Sequence, residues 1–129
     1  MKAYIGIKYH EDYRNKSIVN KISIILEEKG YKTSCIIRDI ENGGQVKYNP
    51  QELMKLTFKE IDGCDLVIID LTEKGVGLGI EAGYAFAKGI PIITIAKQCS
   101  DISETLVGIS EEVFLYDDIE DIRGLFNKP

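Results

Sequence analysis

One histidine, His10, and three cysteines are the only imidazole and thiol groups that the 129 residues offer to a metal ion. Cys35, Cys64 and Cys99 stand roughly thirty residues apart with no Cys-x-x-Cys pair, so neither a zinc site nor a disulfide framework is supported. Cys35 in a strand pattern and Cys64 just ahead of another read instead as small buried hydrophobes. Positive charge is also scarce and scattered. Sixteen Lys and Arg against 21 Asp and Glu leave a formal charge of −5 and no basic stripe, which argues against a DNA or RNA polymer as partner. No apolar run approaches membrane-spanning length, and the start of the chain carries no signal-peptide pattern, so no membrane association is expected and the cytoplasm is the expected compartment. Repeats and low-complexity segments are missing as well.

What is present is the composition of a globular protein, 44% hydrophobic and 29% charged, at a length that suits one domain over residues 1–129. Lys2 to Ile7 reads as a first strand. Ile18, Ile22, Ile25 and Leu26 recur at helical spacing between Asn15 and Lys29, and Gly30 is placed to stop that helix. Thr33 to Ile37 reads as a second strand. Residues 38–49 have no period and hold a turn signal at Asn42-Gly43-Gly44; a connection of this length in a compact domain is usually functional or mobile. Asn49-Pro50 opens a helix with a side-chain cap and a proline at its first position, and Leu53, Met54, Phe58 and Ile61 give it a core-facing stripe.

Leu66 to Ile69 is an unbroken run of branched apolar residues bracketed by Asp65 and Asp70, as expected of a strand covered on both faces. A turn with Gly75, Gly77 and Gly79 follows, then a helix from about Leu78 to Ala87 with Ala82, Ala85 and Phe86 inward, ending at Gly89. Ile92 to Ala96, Ile102 to Leu106, Val113 to Tyr116 and Ile119 to Phe126 complete the pattern as strand, short helix, strand and helix. Strands alternating with helices at this spacing predict an α/β, flavodoxin-like or Rossmann-like three-layer sandwich with a five-stranded parallel sheet in the order 2-1-3-4-5.

That order brings the ends of the first and third strands together at a topological switch point, the usual place for a ligand. Lys8, Tyr9 and His10 would face the glycine turn there, and Arg38, Asp39 and Glu41 could fold over the same crevice. The glycines lower the cost of positive φ and of close approach, so that backbone N–H groups can converge on a ligand oxygen. Glu81, read as lying in or beside the first helical turn, should be held in its ionised form by the helix dipole, with its pKa drawn downward. A capping or solvated glutamate would fit the same position. An ionised carboxylate in such a pocket suits displacement at an anomeric carbon, with Asp39, Glu41, Asp70 or His10 as possible proton donors to the leaving group. Asp70 could equally hold the turn through bonds to the backbone. Gly77-x-Gly79-x-x-Ala82 meets a loose dinucleotide fingerprint, but it follows the third strand and lacks the acid about 20 residues on; no Gly-Lys-Ser/Thr makes a P-loop.

Asp65-Leu-Val-Ile-Ile-Asp-Leu-Thr, Gly-Val-Gly-Leu-Gly-Ile-Glu81-Ala-Gly-Tyr-Ala and Lys88-Gly-Ile-Pro-Ile-Ile together resemble the core signature of the nucleoside 2-deoxyribosyltransferase superfamily, most of all its short 2′-deoxynucleoside 5′-phosphate N-hydrolases. The match runs over residues 64–96, with a weaker extension to the first strand at Gly6 and to Ser103–Gly108. The resemblance implies that Glu81 attacks C1′ of a nucleoside or nucleotide while the base departs, and that water or another base completes hydrolysis or transfer. It further implies that Gly77 and Gly79 lie near the sugar 5′ end, that Ser103 reaches the 5′-phosphate of a neighbouring subunit in a homodimer, and that no metal or organic cofactor takes part. Three positions depart from the family: Gly75 replaces a serine of the turn, Thr57 an aspartate that assists the leaving base, and Ile7 a serine after the first-strand glycine. Glu60 or Asp39 could replace the missing acid. A catalytically lapsed module that binds or senses a nucleotide is the alternative, and Thr57 is its best support.

Overall fold

The computed structural model describes residues 1–126. Five parallel strands form one sheet in the order β2-β1-β3-β4-β5: β1 Lys2–Gly6, β2 Lys32–Ser34, β3 Leu66–Asp70, β4 Ile92–Lys97 and β5 Glu112–Tyr116. The helices are α1 Lys16–Glu28, α2 Ile36–Asp39, α3 Pro50–Asp62, α4 Val76–Ala87 and α5 Glu104–Ile109, with 3-10 turns at Asn42–Gly44 and Ile119–Phe126. The expected fold and strand order are both present. No helix among the described residues is long and apolar enough to cross a membrane.

Alternation along the central strands divides the core in two. Ala3, Ile5, Leu66 and Ile68 face α1 and the closing 3-10 segment, packing with Val19, Ile22, Leu26 and Ile122. Tyr4, Val67 and Ile69 face the other way, toward Ile61 of α3 and Leu78, Ala82 and Ala85 of α4. The β1–β3 register pairs Tyr4 with Val67 and Gly6 with Ile69, so the two strands end together beneath the start of α4. Each buried strand side chain of this size contributes about 1.5–3 kcal/mol, which fixes the register that positions the site.

α3 begins as its sequence dictates, with Asn49 accepting the Glu52 N–H at 2.8 Å and Pro50 at the first turn. Gly30 and Gly89 follow their helices at φ 92° and 74°, where a Cβ is costly.

Four sequence expectations are corrected. β2 ends at Ser34; Ile36 and Ile37, read as strand residues, begin α2 instead, because the Asp39 carboxylate accepts the Cys35 N–H at 2.9 Å and closes a helical turn. α4 starts two residues earlier than expected, at Val76. Phe86, expected inside, is 58% exposed, since the inward face of α4 is already filled by Leu78, Ala82 and Ala85. The segment 119–126 is a 3-10 rather than an α-helix.

Candidate active site

A cavity of about 340 Å³ opens over the carboxyl ends of β1 and β3. β1 and its loop supply Tyr4, Lys8 and Tyr9, the segment after β2 supplies Cys35, Ile36 and Glu41, α3 supplies Thr57, and the start of α4 supplies Gly75, Gly77 and Glu81. Its volume falls in the range of small-molecule sites.

Glu81 stands in the second turn of α4, five residues past Val76. Tyr4 donates a short hydrogen bond from its hydroxyl to Oε1 of Glu81. Gly6 makes this placement possible: a Cβ there would lie 2.6 Å from Ile69 Cδ1 and 3.5 Å from Glu81 Oε2, so the carboxylate sits against bare backbone. Although cavity space reaches the residue, burial of its carboxyl group pushes the pKa up to about 7, opposed by the Tyr4 hydrogen bond and assisted by the charge of Glu41. The expected downward shift is therefore reversed. The carboxylate lies beyond the free N–H groups of the first turn, where the dipole acts, and desolvation wins.

The glycine turn also differs from expectation. Gly75 is extended at φ −160°, and Gly75, Gly77 and Gly79 all lack positive φ. Gly75 caps α4, Gly77 faces the cavity, and Gly79 lies within the helix, outside the lining and with open space at its Cβ position. Among the described residues no side chain caps this N-terminus. Lys8 approaches it instead, with Nζ 3.5 Å from where a Gly75 Cβ would stand. An uncapped helix start beside an ammonium group favours an anion.

The remaining sequence candidates occupy other places. Arg38 and Asp39 pair with each other at 2.7 Å, and Arg38 also binds the Ser23 hydroxyl and Thr33, outside the cavity lining. Against burial, which pushes it up, the Arg38 guanidinium and the Cys35 N–H hold the Asp39 carboxyl below its usual range. Asp70 is buried on the opposite side of the sheet ends, accepting the Tyr116 hydroxyl at 2.8 Å and the Thr72 N–H at 2.9 Å. Ser103 is the N-cap residue of α5, its hydroxyl 2.7 Å from that of Thr105. His10 pairs with Glu73, and Glu60 with Lys2 and Ser34. Thr57 is buried in the cavity wall, donating to the Leu53 carbonyl at 2.8 Å.

Sequence reasoning missed Tyr4 altogether. Its signal was there, since a tyrosine within an apolar buried strand needs a partner for its hydroxyl. Glu41 was one of several acids; the fold singles it out, 8% exposed and lining the same cavity as Glu81. Burial raises its pKa.

No protein-family model matches the chain. Among curated proteins it is 24% identical over 131 residues to "Putative 2'-deoxynucleoside 5'-phosphate N-hydrolase 1" of Thermofilum pendens, covering 94% of this chain and 89% of the relative. Among solved structures it superposes on a CMP N-glycosidase of Clostridium botulinum with a TM-score of 0.68 at 21% identity, covering 98% of both chains. It also superposes on a 2-deoxyribosyltransferase of Bacillus psychrosaccharolyticus with a TM-score of 0.74 at 13% identity, covering 100% of this chain and 93% of that one. The resemblance carried by residues 64–96 thus extends along nearly the whole chain in sequence, and the fold is that of the two enzymes.

Proposed function

We propose that this chain, a nucleoside 2-deoxyribosyltransferase-like protein by sequence and fold, cleaves the N-glycosidic bond of a nucleoside or deoxynucleoside 5′-monophosphate with Glu81 as nucleophile. The observation that carries this reading is the half-buried Glu81 carboxyl group at the wall of an open cavity, hydrogen-bonded by Tyr4 and partly desolvated by its surroundings. A carboxylate so placed gains most by meeting the positive charge that develops at an anomeric carbon. Oε2 of Glu81 attacks C1′, the C1′–N bond breaks, and the base leaves; water then hydrolyses the sugar ester and frees Glu81. The tyrosine bond holds the carboxylate in one orientation, and the α4 N-terminus with Lys8 receives the 5′ end of the sugar. The relatives' names, a nucleotide N-hydrolase, a CMP N-glycosidase and a deoxyribosyltransferase, support the same chemistry.

The test is base release, followed by chromatography, from a panel of nucleosides and their 5′-monophosphates with and without an acceptor base. Turnover that disappears in Glu81→Ala, with the circular dichroism spectrum kept, is the expected outcome. Binding of the panel without any base release would favour a second reading, a nucleotide-binding module that has lost catalysis. That reading draws on Thr57, whose hydroxyl is engaged by the Leu53 carbonyl and is too weak an acid to protonate a base.

The assembly proposed is a homodimer. α4 exposes Val76, Ile80 and Phe86, and α5 exposes Val107, large apolar side chains that a second copy would cover.

A further inference from the structure

We propose that Glu41 is the proton donor to the departing base and, in the second half of the reaction, the base that deprotonates the attacking water. This inference rests on the glycosidic reading above. Breaking a C1′–N bond without protonation would expel an anion, and a positioned acid accelerates such a step by about 10²–10⁴-fold.

Among the described residues, six ionisable side chains line the cavity: Tyr4, Lys8, Tyr9, Cys35, Glu41 and Glu81. Tyr4 already donates to Glu81, and burial lifts its own pKa well above the ordinary value. Burial likewise pushes the Cys35 thiol up to about 12, so it is a poor proton donor at neutral pH. Lys8 stands at the α4 N-terminus, and Tyr9 is 43% exposed. Glu81 is needed as an anion. Glu41 remains.

The chain around Glu41 is fixed while its carboxyl group is left over. Its N–H donates to the Ile36 carbonyl at 2.9 Å, and its own carbonyl accepts from Gly44 and Val46 at 3.0 and 2.9 Å. Gly44, at φ 93°, lies so close to the Glu11 carbonyl that a Cβ would come within 2.6 Å of that oxygen. Yet the Glu41 side chain has no hydrogen-bond or ion-pair partner among the described residues, though the residue is only 8% exposed. Its oxygens are not among the enclosed unpartnered atoms, so a carboxyl group that no protein group engages is left open on a ligand-sized cavity, where a ligand can meet it.

The charge of Glu41 adds, as the least of three influences, to the upward shift of Glu81, so a proton on Glu41 favours the ionised nucleophile. Bound substrate reinforces that arrangement. A base nitrogen or oxygen can accept a hydrogen bond only from protonated Glu41, while the positive anomeric carbon and the Tyr4 hydroxyl favour charge on Glu81. The bookkeeping closes: the C1′–N electron pair goes to the base, which takes the Glu41 proton. Water then forms the new C1′–O bond as the Glu81 ester breaks, and returns a proton to Glu41.

The experiment compares Glu41→Gln with wild type on two substrates: a nucleoside monophosphate that the wild type cleaves, and the matching 4-nitrophenyl glycoside 5-phosphate, whose nitrophenolate leaves without a proton. The expected result is a kcat/KM loss of about 10²–10⁴-fold on the nucleotide and less than about 10-fold on the nitrophenyl substrate, because kcat/KM reports only the steps up to departure of the leaving group and not the later attack of water. Glu41→Ala serves as a second variant, in which added formate should restore part of the base release. Equal losses of kcat/KM on both substrates, wild-type turnover of the nucleotide by Glu41→Gln, or no formate rescue in folded Glu41→Ala would each overturn the assignment of Glu41 alone. A wild-type protein that cleaves neither substrate would overturn the glycosidic reading, and this inference with it.

Discussion

Tyr4 and Glu81, 77 positions apart, are joined by a hydrogen bond that crosses from the first strand of the sheet to the second turn of α4. The phenol favours the carboxylate's charged form; burial opposes it and prevails, leaving the group near pH 7. Removing the hydroxyl should therefore shift the balance further. In Tyr4→Phe the acid limb of kcat/KM, expected near pH 7 in the wild type, moves to higher pH, and activity at about pH 6 falls roughly 10-fold, the worth of one hydrogen bond to a charged group. A pH–rate profile unchanged by Tyr4→Phe would refute the role given to this pair.

The same shift ties stability to pH. Glu81 holds its proton more tightly when folded, so between its ordinary 4.5 and about 7 the folded chain keeps a proton that the unfolded chain has lost. Stability then falls as pH rises through that window, by on the order of 3 kcal/mol in all. Glu81→Gln removes the titration while keeping an oxygen for Tyr4. Thermal melts should show the variant level with wild type near pH 4 and more stable than it at about pH 8; parallel curves would contradict the desolvated carboxyl.

Lys8 offers a test of the 5′ end. Lys8→Met keeps the chain length and removes the ammonium beside the α4 N-terminus. KM for 5′-monophosphates should rise roughly 10- to 100-fold with little change for unphosphorylated nucleosides, since a charge-assisted bond contributes about 1.5–3 kcal/mol. Equal effects on both substrate sets would remove Lys8 from phosphate recognition.

Ile80→Glu places a charge amid the exposed apolar face of α4. Sedimentation velocity should find the wild type as a dimer and this variant as a monomer with an unchanged circular dichroism spectrum. A monomeric wild type would dispose of the proposed assembly.

The sheet order was legible because β1, β3 and β4 are short apolar runs separated by helical periods and turn residues, a pattern compatible with few topologies. Asn49-Pro50 announced its helix in the same local way. The errors arose where tertiary contacts decide. Ile36 and Ile37 have strand propensity, yet the Asp39 cap on Cys35 winds them into a helix. α4 is apolar on most of its circumference, so periodicity could not reveal that Phe86 faces outward. The pKa of Glu81 was misjudged because the helix starts at Val76, which carries the carboxylate past the first turn and into the shelter of Tyr4 and Gly6. Glu41, in an aperiodic stretch, carried no local signal that it would reach the cavity while Asp39, two residues earlier, would not.

Because β2 stops at Ser34 and the chain turns at once into α2, the wall bearing Glu41 hangs from an edge strand of three residues, whereas Glu81 is carried on α4, which follows the central strand β3. On the mechanism proposed above, discrimination among leaving groups and the power to attack a sugar are thereby mounted on separable pieces of polypeptide. Under that mechanism, exchange of residues 36–48 would change the heterocycle that is released and leave the proposed nucleophile where it stands.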